Sequence, residues 1–266
     1  MNWWIDRARA DIVNLPAYKP AVWNRALQRL NANENPFKPL NDPTRRGLNH
    51  YPEPYPNEIE ALLCALYGVN ECVVTRGADE GIDILIRAYV RASVDEIIIC
   101  PPTFGMYHYA NALQGGLTRE VPLTKDSCDV AGIANAISDC TKLIFICSPN
   151  NPTGVRIPWQ DIEAVLNIAT GRSLVVVDEA YVDFADGPPL TDQLSAYPGL
   201  VLLRTLSKSY SLAGARCGAV LAHTSIIELL KRVLPPYSMS IGSIEAIQSA
   251  LTPDGVRQAR ALSLIH

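Results

Sequence analysis

A lysine between serines, followed eight positions later by an arginine (Ser207-Lys208-Ser209 and then Arg216), is where a chemical reading of this chain begins. The apolar run Leu200-Val201-Leu202-Leu203 leads into it and reads as a buried strand, so both cations fall just past a strand's carboxyl end. In open α/β sheets ligands bind there. A lysine so placed can act as an amine nucleophile toward a carbonyl, with a nearby cation depressing its pKa. A lone lysine between serines is more often only a solvated loop. The other strand ends have to separate the two readings.

Four of them carry unusual residues. After the strand at 72–75 comes Arg76-Gly77-Ala78-Asp79-Glu80-Gly81, opening a helix. Glycine lets backbone approach a ligand closely, and a helix N-terminus offers free N–H groups to a phosphate; a simple capped turn would look the same. After 96–100 comes Pro101-Pro102-Thr103-Phe104-Gly105-Met106-Tyr107, whose aromatics could stack on a planar ring or simply pack. After 143–147 comes Ser148-Pro149-Asn150-Asn151-Pro152-Thr153-Gly154, a fixed turn that also presents an amide side chain. After 174–177 comes Asp178-Glu179-Ala180-Tyr181. An acid ending a buried apolar strand costs free energy unless it is paired or hydrogen-bonded.

Each piece is weak alone, but together they describe one ligand. It has a phosphate (Gly77, Ala78, Asp79, Ser207, Arg216), an aromatic ring (Phe104), a ring nitrogen (Asp178), a phenolic oxygen (Asn151, Tyr181) and an aldehyde (Lys208), with Thr205 also counted as cofactor-binding. Pyridoxal 5′-phosphate has all five features, and its enzymes pair a Schiff-base lysine with an acidic partner for the pyridinium nitrogen.

The elements that must position these residues alternate from Glu71 onward. Strands are expected at 72–75, 96–100, 118–122, 143–147, 174–177, 201–203 and 217–221. Helices are expected at about 78–90, 104–114, 129–138, 159–169, 225–234 and 240–251. Asn57 is placed to cap a preceding helix carrying Ile59, Leu62, Leu63 and Leu66. Continuous β-branched runs mean strands buried on both faces, hence an α/β fold with a mostly parallel sheet flanked by helices. Residues 1–50, rich in Asn and Pro, read as an irregular arm in which Trp3, Trp4, Trp23 and Phe37 supply apolar surface for packing.

Composition removes several function classes. The chain has 266 residues, 48% hydrophobic and 19% charged, an ordinary globular balance. Net charge is −4 and no basic cluster exceeds a pair, which argues against a nucleic-acid groove. No signal-like start and no membrane span is evident, so a soluble, cytoplasmic protein is expected. The seven cysteines (64, 72, 100, 128, 140, 147, 217) show no CxxC or zinc spacing, and the histidines (50, 108, 223, 266) are scattered. The thiols are expected to be reduced and mostly buried, and no metal site is expected.

At this point the chain resembles the fold-type I, class I/II aminotransferases, and within them the histidinol-phosphate branch. The likeness rests on Asn31-Ala32-Asn33-Glu34, His50-Tyr51-Pro52-Glu53, Arg76-Gly77-Ala78-Asp79-Glu80-Gly81, Cys100 to Tyr107, Ser148 to Gly154, Asp178-Glu179-Ala180-Tyr181 and Thr205-Leu206-Ser207-Lys208, in the family's order. It implies that Lys208 forms the Schiff base and shuttles a proton, and that Asp178 keeps the ring nitrogen protonated. It also implies that Asn151 and Tyr181 hold the ring oxygen, and that Arg216 grips the phosphate with Ser207 and the amides of Ala78 and Asp79. Tyr51 would reach the cofactor of a neighbouring subunit, which implies a homodimer with shared sites. Tyr18, Asn33 and Asn151 would border the substrate. The implied reaction transfers an amino group from histidinol phosphate to 2-oxoglutarate.

The chain departs from the family pattern in two ways. Phe104 stands where relatives often have tyrosine. The chain also stops at Leu264-Ile265-His266, whereas the resemblance implies roughly another 90 residues of a small domain that supplies a substrate-binding arginine. The expected layout is therefore an arm and small-domain segment at 1–50, a cofactor-binding large domain at 51–250, and the start of a truncated C-terminal domain at 251–266. An aromatic aminotransferase or a threonine-phosphate decarboxylase would share Lys208, Asp178 and Arg216. An inactive pyridoxal-phosphate-binding remnant and a plain nucleotide-binding α/β module are the readings from other classes.

Overall fold

The computed structural model of the protein describes residues 2–20, 27, 30–125 and 127–263. Trp23 and the closing Leu264-Ile265-His266 lie outside the described residues. Among the described residues seven strands form one sheet: β1 (Val73–Thr75), β2 (Glu96–Ile99), β3 (Leu117–Glu120), β4 (Thr141–Cys147), β5 (Leu174–Asp178), β6 (Leu200–Thr205) and β7 (Gly218–Leu221). Their spatial order is β1-β7-β6-β5-β4-β2-β3. From β3 to β6 every pairing is parallel, while β7 runs antiparallel to both β1 and β6.

Burial explains the apolar runs. Every residue of β2, β4, β5 and β6 is buried, as parallel strands covered on both faces require. Only the edge strand β3 is largely exposed. The reversal at β7 is not legible in its composition. Its cause lies in the preceding connection, where a single short 3-10 turn (Ala213–Ala215) replaces the helix that a parallel crossover normally needs.

Ten α-helices surround the sheet among the described residues: α1 (Trp3–Asp6), α2 (Ala10–Val13), α3 (Asn57–Tyr67), α4 (Ala78–Tyr89), α5 (Met106–Gln114), α6 (Val130–Ala136), α7 (Trp159–Ala169), α8 (Thr224–Val233), α9 (Ile241–Ala250) and α10 (Pro253–Ser263). On one face, α4, α5 and α8 bring Ile82, Leu85, Tyr89, Tyr107 and Ile227 against Val73, Ile97, Phe145, Val176 and Val201. On the other, α3, α6, α7 and α9 bring Ile59, Leu63, Ile133, Val165 and Ile244 against Ile98, Ile144, Ile146, Val177 and Leu202. Successive strand residues point to opposite faces, so each strand feeds both cores.

The arm differs from expectation. Two short helices stand in its first part, and Trp4 is buried with its Nε1–H donating to Ser225 Oγ at 2.8 Å. Phe37, expected to pack, is 79% exposed. Its neighbourhood is held by polar contacts instead: Glu34 accepts the Tyr51 N–H at 2.6 Å and meets His50 Nδ1 at 3.1 Å. Asn57 does not cap α3. Pro56 occupies the cap position, and the Glu53 carboxylate accepts the Asn57 N–H at 3.2 Å.

All seven cysteines are free thiols; Cys140 is exposed and Cys64 half-buried, and the others are buried. Among the described residues no group of three or more His, Cys, Asp or Glu could hold a metal ion, and no helix is long and apolar enough to cross a membrane.

One buried charge network braces the carboxyl ends of β5 and β6. Arg204 Nη1 donates to Glu179 Oε2 and Nη2 to Asp183 Oδ1, both at 3.1 Å, and Ser209 Oγ donates to Asp183 Oδ2 at 2.6 Å. The Arg204 and Glu179 side chains are 5% and 1% exposed. Arg204→Ala strands the Glu179 charge, and we expect it to cost about 3–5 kcal/mol in chemical denaturation. Arg87→Ala removes a surface pair with Asp83 at 2.9 Å and should cost no more than about 1 kcal/mol.

Candidate active site

Strand alternation decides which strand-end side chains meet. Leu143, Phe145 and Cys147 of β4 face the α4–α5–α8 layer, as do Leu174 and Val176 of β5 and Val201 and Leu203 of β6. The next residues in phase are Asp178 and Thr205. Register places Cys147 beside Asp178, and Asp178 beside Leu203. Three adjacent strands thus end on one face with Cys147, Asp178 and Thr205, and a pocket of about 150 Å³ opens there.

The first wall is the start of α4. Gly77 stands at its cap position with φ +90°, and a Cβ there would lie 2.7 Å from Arg216 Nη2. A Cβ on Gly218 would lie 2.7 Å from the Gly77 carbonyl carbon. These two glycines let the helix start, the head of β7 and the arginine close up together. Ala78 and Asp79 line the pocket, and N–H groups of a first helical turn have no intrahelical partner. Arg216 itself adopts a left-handed backbone, φ +52°, a conformation that costs a non-glycine residue free energy and clusters at functional sites. Among the described residues its guanidinium has only long contacts, to Arg76 O (3.3 Å), Asp79 Oδ2 (3.4 Å), Ala213 O (3.4 Å) and Ser207 Oγ (3.5 Å). Donors held this loosely can turn to an anion that offers shorter, charge-assisted bonds.

The floor is Asp178, 3% exposed. Tyr107 Oη donates to its Oδ2 at 2.7 Å and the Ala180 N–H donates to its Oδ1 at 3.0 Å. Burial pushes the carboxyl pKa up to about 6; the two hydrogen bonds oppose this, and Asp79 and Glu179 add to it. Phe104 forms a side wall, its ring edge-on to Tyr107 at 5.7 Å. Tyr107 in turn stacks on Phe145 at 4.8 Å.

The two adjacent asparagines divide their work. Asn150 is buried and staples loops together, its Nδ2 donating to Pro102 O at 2.8 Å and to Thr153 Oγ1 at 2.9 Å. Asn151 is left to face the pocket. Lys208 is exposed at the rim, with Nζ 5.3 Å from the centre of the Tyr181 ring. Its ammonium has no hydrogen bond or ion pair among the described residues, while its backbone carbonyl accepts the Ser211 N–H at 3.1 Å.

The structure thus brings Ala78, Asp79, Phe104, Asn151, Asp178, Tyr181, Thr205, Ser207, Lys208 and Arg216 to one pocket, with Gly77 directly behind it. Tyr18, Asn33 and Tyr51 do not line this pocket and are exposed; the Tyr51 ring rests on Tyr237 at 5.0 Å. Cys147, Ala180 and the supporting Tyr107 are additions. Tyr107 was within reach of sequence reasoning, since it stands three residues after Phe104 at the start of a helix and so shares its side.

The residues present fit a phosphorylated aromatic aldehyde, because the chemistry of the donor set is divided along the pocket. Helix-start amides and a loosely held guanidinium stand at one end, a buried carboxylate at the floor, and an amine at the rim. Residues 25–262 match the family model described as aminotransferase class I and II. The chain belongs to that family. It is 42% identical, over 266 aligned positions, to the histidinol-phosphate aminotransferase of Yersinia pseudotuberculosis, a match covering 96% of this chain and 68% of that protein. The crystal structure of histidinol-phosphate aminotransferase from Clostridium acetobutylicum shares the fold, with a TM-score of 0.72 at 21% identity over 82% of this chain. The enzyme from Sinorhizobium meliloti, solved in complex with pyridoxal 5′-phosphate, superposes with a TM-score of 0.70 at 26% identity over 80% of this chain. The chain spans 65% of the former structure and 59% of the latter.

The raised Asp178 pKa has a definite sign in stability. Between the ordinary value of 3.8 and about 6, the unfolded chain ionises this group while the folded one keeps it neutral. Stability falls across that interval as pH rises, and the loss is complete above it. That loss is about 3 kcal/mol, against about 1 kcal/mol for the hydrogen bond that Tyr107 donates to Oδ2 and cannot donate to an amide Nδ2. Asp178→Asn should therefore stabilise the ligand-free protein in urea denaturation by about 2 kcal/mol at pH 7.5 and give no gain at pH 4. An equal effect at both pH values would show that the carboxylate carries no burial penalty.

Proposed function

We propose that this aminotransferase-family chain uses pyridoxal 5′-phosphate to transfer the amino group of L-histidinol phosphate to 2-oxoglutarate, giving imidazole-acetol phosphate and glutamate in histidine biosynthesis. One observation carries the cofactor assignment: Lys208, Asp178 and Arg216, from different turns of the chain, line a single pocket. The substrate assignment draws on the 42% identity to relatives of that name. When bound, the cofactor supplies an aldehyde for amine exchange and a ring that withdraws electrons from the substrate's Cα.

The chain's own groups then have distinct tasks. Arg216, the Ser207 hydroxyl and the amides of Ala78 and Asp79 bind the phosphate, with Thr205 beside them. Phe104 covers the ring face and excludes water from it. Asn151 and Tyr181 donate to the ring oxygen and fix the ring's rotation. Asp178 holds the proton on the ring nitrogen, which is why a carboxylate is kept at the floor despite its burial. Lys208 Nζ would hold the cofactor's carbonyl end and would serve as the base that accepts and returns the substrate's Cα proton. Tyr51, exposed on this chain, reaches the pocket of a second copy in a homodimer, and Tyr18 and Asn33 border the substrate.

Borohydride treatment of protein mixed with pyridoxal 5′-phosphate, followed by peptide mapping, should label Lys208; label elsewhere, or none, would overturn the cofactor assignment. Adding histidinol phosphate should bleach the visible absorbance and release imidazole-acetol phosphate, and a protein that binds cofactor without this response would lose the substrate assignment alone. Arg216→Ala should weaken pyridoxal 5′-phosphate by roughly 10- to 100-fold, the loss of a hydrogen bond to a charged group. Phosphate-free pyridoxal should bind the variant as it binds the parent.

A further inference from the structure

We infer that Tyr107 is a positioning residue of this pocket: its hydroxyl locks the Asp178 carboxylate in place and holds it in the ionised form that retains the ring-nitrogen proton. The inference rests on the cofactor assignment above and adds a residue that never touches the cofactor's reacting atoms.

Tyr107 is wholly buried, with its ring stacked on Phe145 (4.8 Å, 14° between planes) and edge-on to Phe104. Both aromatic contacts fix the ring, and the ring fixes the direction of the O–H. The hydroxyl ends 2.7 Å from Asp178 Oδ2, a short, charge-assisted distance. Burial alone does not create such a partner in this fold, because the buried hydroxyls of Tyr67 and Tyr89 have none among the described residues. With Oδ2 held by Tyr107 and Oδ1 by the Ala180 N–H, the carboxylate cannot rotate, and each oxygen keeps a further lone pair for the pocket.

The surroundings of Asp178 show why a donor is needed. Asp79 of α4 and Glu179 of its own turn are both negative and favour the neutral form, as does burial. The Cys147 thiol sits in register beside it on β4. Lys208 and Arg216 line the same pocket from the rim. The two groups that favour the ionised form by direct hydrogen bonding are the Ala180 amide and Tyr107. Only Tyr107 is a side chain, so only it can be removed without disturbing the backbone.

Tyr107→Phe keeps both ring contacts and deletes the donor. In ligand-free protein carrying carboxyl-labelled aspartate, with the Asp178 signal assigned through Asp178→Asn, the titration midpoint should rise by about one pH unit, a tenfold change in proton affinity. The dissociation constant for pyridoxal 5′-phosphate should weaken about eightfold at pH 5.5 and less than twofold at pH 8.5, because only the ionised carboxylate grips the ring nitrogen. Added to Asp178→Asn, the same substitution should change binding no further. A lowered melting temperature with an unmoved midpoint and a pH-independent affinity would mean that Tyr107 only packs, and would overturn the inference. Fluorotyrosine at 107 preserves the shape and strengthens the donor, so it must move the midpoint downward; an upward or absent shift also overturns it. If the parent protein binds no pyridoxal 5′-phosphate, the cofactor assignment falls, and that failure is distinct from a midpoint that does not move.

Discussion

A carboxylate at the end of an apolar strand, sealed from water and flanked by two further acids, is the constraint around which this pocket is built. Burial and the neighbouring acids favour the neutral form of Asp178, and without hydrogen bonds its plane would be free to turn. The fold answers with one phenol and one backbone amide. The phenol needs a ring bed, which Phe145 and Phe104 supply, and the amide needs the sharp turn after β5. A strand, a helix start and two loops are thus committed to one buried charge. Such commitments persist where a function over-determines them.

The two faces of the sheet divide the labour at this end of the molecule. On the pocket face, alternation delivers Cys147, Asp178 and Thr205. One residue out of phase, the same strand ends deliver Glu179 and Arg204 to the opposite side, where they pair with each other and with Asp183. The second network joins the turn bearing Tyr181 to the turn bearing Lys208, so the pocket residues are held from behind by charges that never face the ligand. A shift of one residue in either strand would exchange the two sets and abolish both.

Much of this was legible in the sequence, and the parts that were not share a physical cause. Except for the exposed edge strand β3, the strands announce themselves, because burial on both faces demands unbroken apolar runs. Lys208, Asp178 and Arg216 stand out because polar residues are rare at the ends of such runs. The direction of β7 is invisible, since four buried residues look alike whichever way they run. Arg204 hides within an otherwise apolar strand, its partners 25 and 21 residues away in sequence. Tyr107 reads as packing until the carboxylate 71 residues distant is seen at its hydroxyl. Nor could spacing alone tell which of Asn150 and Asn151 staples loops and which faces the pocket. Local pattern yields elements, whereas pairings over long separations need the fold.

The antiparallel return of β7 has a consequence for how ordering entropy is distributed. Thr205 and Gly218 already lie opposite one another in the sheet, so the segment between them is a closed loop before any ligand arrives. Lys208 and Arg216 both ride on that loop, and bridging them constrains few additional chain conformations. The start of α4 lies 137 residues from Arg216 along the chain, as measured by the Asp79 contact. A ligand that clamps the loop to that helix and to the floor at Asp178 closes much longer circuits, for which chain-closure entropy is larger. Its structural effect then resembles that of a removable cross-link between distant parts of one polypeptide.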